Sequence, residues 1–221
     1  MQQISSFILA EQPSVANHFM AELRDHTRQT DRMRFRRNIE RLGEVLAYEL
    51  SKALPYRPEL VTTPLGTTNI PLLEQQPVLV SILRAGLPLH LGVLHYFDRA
   101  DSGFIGAYRH NDATSPAGFT IHLDYQSIPD VQDRPLILID PMLASGQTLV
   151  KVLEQIDKYG TPSQTHILSV IASPEGVSRL KEKAQYPYHL WLGAIDERLN
   201  DKSYIIPGLG DAGDLSFGNK L

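Results

Sequence analysis

Five largely apolar runs punctuate the chain: "PVLVSIL" (77–83), "FIGAYR" (104–109), "PLILID" (135–140), "THILSVIAS" (165–173) and "YHLWLGAID" (188–196). Segments of helical character lie between them. "LPLHLGVLHYF" (87–97) follows a Gly turn, a second helix is expected from about Gly146 to Tyr159, and Pro174 opens a third. Strands without polar alternation are buried on both faces, and strands joined by helices run parallel. The pattern therefore predicts an α/β fold, a parallel central sheet flanked by helices. Ligands bind such sheets just beyond the carboxyl ends of the strands. Function is to be sought there.

Upstream, Phe35, Ile39, Leu42, Leu46, Leu50 and Leu54 recur at helical spacing from about Arg32, and Pro55 and Pro58 end that helix. Residues 110–132, "HNDATSPAGFTIHLDYQSIPDVQ", are polar and turn-rich. The alternation in "GFTIHLDY" suits a two-stranded arm, and an excursion of this length beside a ligand edge suits a lid or a dimer arm. No repeat or low-complexity linker divides the chain, so residues 1–221 are expected to form one domain.

No apolar run reaches the roughly 18 residues that span a bilayer. The start, "MQQISSFILAEQPS", lacks the basic residues of a secretory signal. With no Cys there is no disulfide, thiol nucleophile or thiolate metal site, and a cytoplasmic address is the default. The eight His residues show no metal-ligand spacing. A net charge of −4 argues against nucleic-acid binding by the whole surface. A polyanionic substrate would need positive charge concentrated locally.

Three stretches carry chemistry. In "LILIDPMLASGQT" (136–148) Asp140 ends a strand, where its carboxylate can accept hydrogen bonds from two ribose hydroxyls. Ala144, Ser145, Gly146, Gln147 and Thr148 follow as a turn into a helix. Small residues let backbone N–H groups converge on a phosphate, and Ser145 and Thr148 add hydroxyls. A plain strand-to-helix turn with an N-capping Asp or Ser explains the same residues, and both readings stay open on this stretch alone. In "SILRAGLP" (81–88) Arg84 follows a strand beside small residues, suited to gripping pyrophosphate. Arg109 ends a third strand. In "YIIPGLGDAGD" (204–214) the glycines spell G-x-G-x-x-G, but too little chain follows for a dinucleotide-binding unit. Without a helix here, they are read as permitting close backbone approach to a flat ligand, with Asp211 at the tip. The segment 24–41 holds seven of the 21 Lys and Arg residues. Interspersed acids and the lack of an aromatic platform favour a solvated face or a subunit interface over nucleic-acid contact.

"ILRAGL", "AYR", "LILIDPMLASGQT" and "YIIPGLGDAGD", in that order and spacing, resemble the uracil phosphoribosyltransferase family over nearly the whole chain. The resemblance implies a type I phosphoribosyltransferase fold, with a hood built from the N- and C-terminal segments and a protruding β-arm at about 110–132. It implies a pentosyltransferase of pyrimidine salvage that joins uracil to phosphoribosyl pyrophosphate (PRPP), giving UMP and pyrophosphate. Arg84, Arg109 and the segment Asp140, Pro141, Met142, Leu143, Ala144, Ser145, Gly146, Gln147 and Thr148 are then expected on PRPP. Ile205, Gly210, Asp211 and Ala212 are expected on uracil, with Asp211 also on PRPP. Arg84, Arg109, Asp140 and Asp211 are the candidate catalytic groups. The resemblance further implies Mg2+ bound with PRPP rather than by protein ligands, a homodimer or larger homo-oligomer, and GTP as a candidate activator. Gln147 departs from the family's Gly in the phosphate turn. The competing readings are a nucleotide-sensing, nucleic-acid-binding regulator on the same fold and a phosphoribosyltransferase for another base.

Overall fold

The computed structural model describes residues 5–111 and 119–219. In chain order they form β1 (Ser5–Ile8), α1 (Ala16–Arg24), α2 (Arg32–Ser51), β2 (Tyr56–Thr63), β3 (Gly66–Leu73), β4 (Val78–Leu83), α3 (Gly86–Leu94), β5 (Asp101–Asn111) and β6 (Phe119–Ser127). Then come β7 (Pro135–Ile139), β8 (Met142–Leu143), α4 (Gln147–Ile156), β9 (Gln164–Ala172), α5 (Pro174–Lys183), β10 (His189–Ile195), β11 (Arg198–Leu199), β12 (Ile205–Ile206) and α6 (Ala212–Phe217). An eight-stranded sheet runs in the order β1-β10-β9-β7-β4-β5-β6, with β8 beside β9. Every pairing is parallel except that of β6 with β5.

The apolar runs form strands because both of their faces are covered. Leu79, Ile137, Ile139, Leu168 and Val170 pack with Phe35, Ile39, Leu42 and Leu46 of α2 and with Leu89 of α3. Their neighbours Val80, Leu136, Leu138 and Ile167 turn to the other face, against Leu149, Val152, Leu153 and Ile156 of α4 and Leu180 of α5. The period-2 alternation of side chains thus feeds two cores rather than one core and solvent. Asp31 caps α2 by accepting from the Arg34 N–H, and Ser173 caps α5 by accepting from the Gly176 N–H, with Pro174 in its first turn. Among the described residues no helix is long and apolar enough to cross a membrane.

Three differences from the sequence reading stand out. β1 and α1 precede the first helix it identified. The two-stranded arm expected within 110–132 begins earlier in the chain and grows out of the main sheet: β5 pairs with β4 only as far as Gly106, its residues 107–111 pair with residues 119–123 of β6 alone, and residues 112–118 lie outside the described residues. The free-standing ribbon is β2–β3, with Pro58 directly opposite Pro71. Prolines argue against a central strand, but a two-stranded ribbon has outer edges where a missing N–H leaves no bond unmade.

Among the histidines, His95 stands with Glu40 and Glu44, their ligand atoms within 4.8 Å of one another. The Arg37 guanidinium already serves both carboxylates, at 2.7 and 3.5 Å. His166 is buried in β9, where its Nδ1 accepts from Trp191 Nε1 (3.1 Å) and its Nε2 meets Gln164 (3.3 Å). That arrangement requires the neutral ring with the proton on Nε2. Burial, with a smaller contribution from the neighbouring His189, pushes the imidazole down to about 3. Burial also takes His90 to about 4.

Both shifts are depressions from about 6.5, so the unfolded chain takes up protons first as pH falls. Stability should be fully present above about pH 6.5 and decline from there towards the folded values. The urea midpoint should fall between pH 6.5 and 5, above the range where ordinary carboxylates titrate. In His166→Gln, whose amide oxygen can still accept from Trp191, that slope should flatten; an unchanged slope would show that His166 does not carry the effect.

Candidate active site

β4 and β7 lie side by side with Ser81 opposite Ile139. From β4 the chain crosses through α3 to β5 on one flank. From β7 it crosses through α4 to β9 on the other. A crevice opens where neighbouring crossovers part in this way. Arg84 directly follows β4 and Asp140 directly follows β7, so the two lie at its lip. The Asp140 N–H continues the ladder to Leu168 O (3.1 Å), and its carboxylate accepts from the Met142 N–H (3.2 Å).

Beyond Asp140 the chain turns into α4 through Gly146, whose φ of +73° falls in the left-handed region. No side chain caps α4 and no acid sits in its first turn, and Thr148 of that turn lines the crevice. The start of α5 braces the turn. Ser173 donates its hydroxyl to Ala144 O (2.7 Å) and its N–H to Leu143 O (2.9 Å), and the same hydroxyl oxygen accepts from the Gly176 N–H (3.0 Å). A Cβ on Gly176 would fall 2.2 Å from Ala144 O, so only glycine permits this approach. Gln147 is the first helical residue, and the tight point of the turn is Gly146, still a glycine.

The C-terminal segment closes the crevice from above. It is not free of helix, as the sequence reading had it: Asp211 caps α6, accepting from the Asp214 N–H (3.0 Å), and Asp214 adds an acid in the first turn. The pattern Asp-x-x-Asp was the available signal, hidden under the glycine spacing. Arg84 Nη2 donates to Asp214 Oδ1 and to Gly218 O, both at 3.1 Å. The buried Arg84 Nε has no hydrogen-bond partner among the described residues.

Between these parts lies a cavity of about 440 Å³. Of the residues singled out from sequence, Arg84, Asp140, Met142, Ala144, Thr148, Gly210, Asp211 and Ala212 line it. Pro141, Leu143, Ser145, Gly146 and Gln147 belong to the same turn but not to the lining. Ile205 is only 3% exposed, its side chain in the α2-side core behind the wall. The backbone of Arg109 runs in β5; its side chain lies outside the described residues. Tyr108 and Ser203 line the cavity without having been singled out, and Tyr204 and Gly213 line it from the glycine-rich stretch 204–214. Tyr108 stacks on His122, and a hydrogen bond to Asp124 raises its phenol above the ordinary value. Ser203 takes a left-handed φ of +59° in the turn between β11 and β12, a conformation its identity does not announce.

The parallel sheet, the acid and arginine at adjoining strand ends and the helix-facing turn define the class: a type I phosphoribosyltransferase fold. The family model described as uracil phosphoribosyltransferase matches residues 10–219. The uracil phosphoribosyltransferase of Porphyromonas gingivalis is 45% identical over 214 residues, covering 96% of this chain and 98% of that protein. The protein of the same name from Pyrococcus furiosus is 39% identical over 206 residues, covering 91% of this chain and 85% of the other. The solved structure of the AQ2163 protein from Aquifex aeolicus superposes with a TM-score of 0.85 at 32% identity, covering 98% of both chains. The chain belongs to the uracil phosphoribosyltransferase family.

Gly176→Ala should test the brace from a residue that does not itself line the cavity. Forcing a methyl against Ala144 O should cost about 1–3 kcal/mol, the usual penalty of overpacking. Urea unfolding would measure it, and an unchanged midpoint would mean that the α5 start and the 144–148 turn are not in hard contact.

Proposed function

We propose that this protein transfers the 5-phosphoribosyl group of PRPP to uracil, giving UMP and pyrophosphate. The observation that carries the reading is one cavity lined by Arg84, Asp140, Thr148 and Asp211, drawn from three separate strand ends or turns. The turn at 144–148 anchors the 5′-phosphate, with the unopposed end of α4 supplying positive potential. Asp140 accepts the ribose hydroxyls. Arg84 approaches the pyrophosphate with the nitrogens it does not share with Asp214 and Gly218. Arg109 is assigned to the same end of the donor by its position in the family motif.

Breaking the C1–pyrophosphate bond leaves oxocarbenium character on the sugar. The protein's task is to hold donor and base in line and to stabilise the departing charge. Asp140 and Asp211 are the carboxylates lining the cavity, and among the described residues no group of three metal-ligating side chains converges there. This donor set fits a magnesium ion that arrives on PRPP and keeps most of its waters. Such an ion neutralises charge on the leaving group. Asp211 spends one oxygen on capping α6 and keeps the other to receive the uracil proton.

The backbone of 210–213 lines the other wall. Uracil offers acceptors at O2 and O4 and a donor at N3, whereas cytosine inverts the pattern at positions 3 and 4. A fixed backbone cradle leaves buried groups unpaired against the wrong base, which discriminates better than shape. The β2–β3 ribbon, with Leu65 fully exposed and Leu60 68% exposed at its outer part, suits the arm of a homo-oligomer.

Purified protein with magnesium, PRPP and uracil should form UMP, and a panel of bases should show uracil preferred; no UMP would overturn the reading. Asp140→Asn should lower kcat/KM about 10- to 100-fold, the worth of a charge-assisted hydrogen bond of about 1.5–3 kcal/mol, while circular dichroism stays unchanged. Steady-state rates equal to wild type would remove Asp140 from the ribose.

A further inference from the structure

We propose that Arg24 and Asp196 form a clamp that positions the base-recognition loop, making them specificity-determining positioning residues for uracil. The inference rests on assigning the 205–212 segment to the base. Arg24 is the last residue of α1 and Asp196 directly follows β10, so neither belongs to the loop. Arg24 Nη2 donates to Asp196 Oδ1 (2.6 Å) and Nη1 to Asp196 Oδ2 (2.8 Å), a two-pronged pair. The same Nη1 donates to Gly208 O (2.9 Å), and the Gly208 N–H donates to Asp196 Oδ2 (2.8 Å). Both backbone polar groups of Gly208 are thus held by one ion pair. Asp196 is 4% exposed, so the contact is shielded from water and salt.

Gly208 stands between the two halves of the loop: Ile205 lies three residues before it, Gly210 and Asp211 two and three after. Its φ is +65°, and a Cβ would fall 2.1 Å from Ile205 O, so the chain folds back tightly at this residue. Upstream the loop is pinned by the Glu197 N–H to Ile206 O (2.9 Å), and downstream by the buried Leu209. The clamp fixes the direction in which the backbone leaves that fold and enters the cavity wall at Gly210. Asp140 and the phosphate turn hang on β7 and α4 instead. Loosening the clamp should therefore disturb the base and spare the donor.

The substitutions follow from the geometry. Arg24→Lys keeps the charge but cannot span both Asp196 oxygens and Gly208 O together. Asp196→Asn replaces one acceptor oxygen by a donor, which then opposes either the Gly208 N–H or the guanidinium. Arg24→Ala removes the fork altogether. In steady-state kinetics each should raise KM for uracil about tenfold or more, with KM for PRPP within about threefold, and Arg24→Lys should recover part of what Arg24→Ala loses. Hydrogen exchange should quicken at Gly208 to Asp211 while β7 and β9 stay protected.

Should Arg24→Ala or Asp196→Asn fail to fold, the KM split of Arg24→Lys decides. Equal movement of both KM values, a fall in kcat alone, or unchanged exchange at 208–211 would overturn the clamp. A wild-type protein that makes no UMP overturns the substrate reading by itself, and the exchange experiment then separates a failed clamp from a failed substrate assignment.

Discussion

Two parallel strands that share a hydrogen-bonded edge yet send their chains to opposite flanks leave a crevice that neither crossover can fill. β4 and β7 impose this constraint. Their apolar residues need cover on both faces, so the charged groups come only where burial stops, at Arg84 and Asp140. The first turn of α4 is delivered to the same place because its crossover starts there. A carboxylate at the end of a buried run is in this sense the first position at which the fold can tolerate one.

The segment that roofs the crevice is held differently. α6 has six residues, too few to persist as a helix without outside contacts. Two guanidinium groups serve the backbone carbonyls at and just past its last turn: Arg36 donates to Ser216 O (2.6 Å) and Arg84 to Gly218 O (3.1 Å). Arg24 holds Gly208 upstream. Several arginines of the stretch at 24–41 are thereby engaged within the molecule, although Arg28, Arg32, Arg34 and Arg37 remain exposed. Arg34 pairs with Glu22, whose carboxyl is held down to about 2 by hydrogen bonds from Arg34 and then Asn38. Arg41 lies over the ring of Phe19, 5.1 Å from its centre. Guanidinium forks engaged in this way are poorly placed to serve a phosphate backbone.

How much of this the sequence disclosed follows from range. Five strands of the main sheet, β4, β5, β7, β9 and β10, declared themselves as largely apolar runs, whereas β1 and β8 did not, and Arg84 and Asp140 were conspicuous as the polar residues ending such runs. The 144–148 turn was ambiguous until α5 appeared against it, since the brace through Ser173 and Gly176 joins residues about 30 positions apart. The β2–β3 ribbon was hidden by prolines that only edge strands accommodate. Arg24 and Asp196 are 172 positions apart, and nothing in either neighbourhood marks the other. Ile205 is named by the motif, and the structure shows that its branched apolar side chain in a two-residue strand sits in the core.

The two halves of the cavity consequently differ in what it takes to alter them. The strand-end side, proposed above for the donor, is built from main-sheet backbone, a helix end and a glycine contact, all of which the core enforces; changing it means changing the sheet. The roof, proposed above for the base, is a short loop whose path depends on a few guanidinium–carboxylate and guanidinium–carbonyl bonds made from α1, α2 and the β4 turn. Such bonds are directional and local, and replacing them redirects the loop while leaving both cores intact. Under the proposed assignment, a fold assembled this way keeps one phosphoribosyl donor on the strand ends while the choice of acceptor base falls to the side chains that hold the roof.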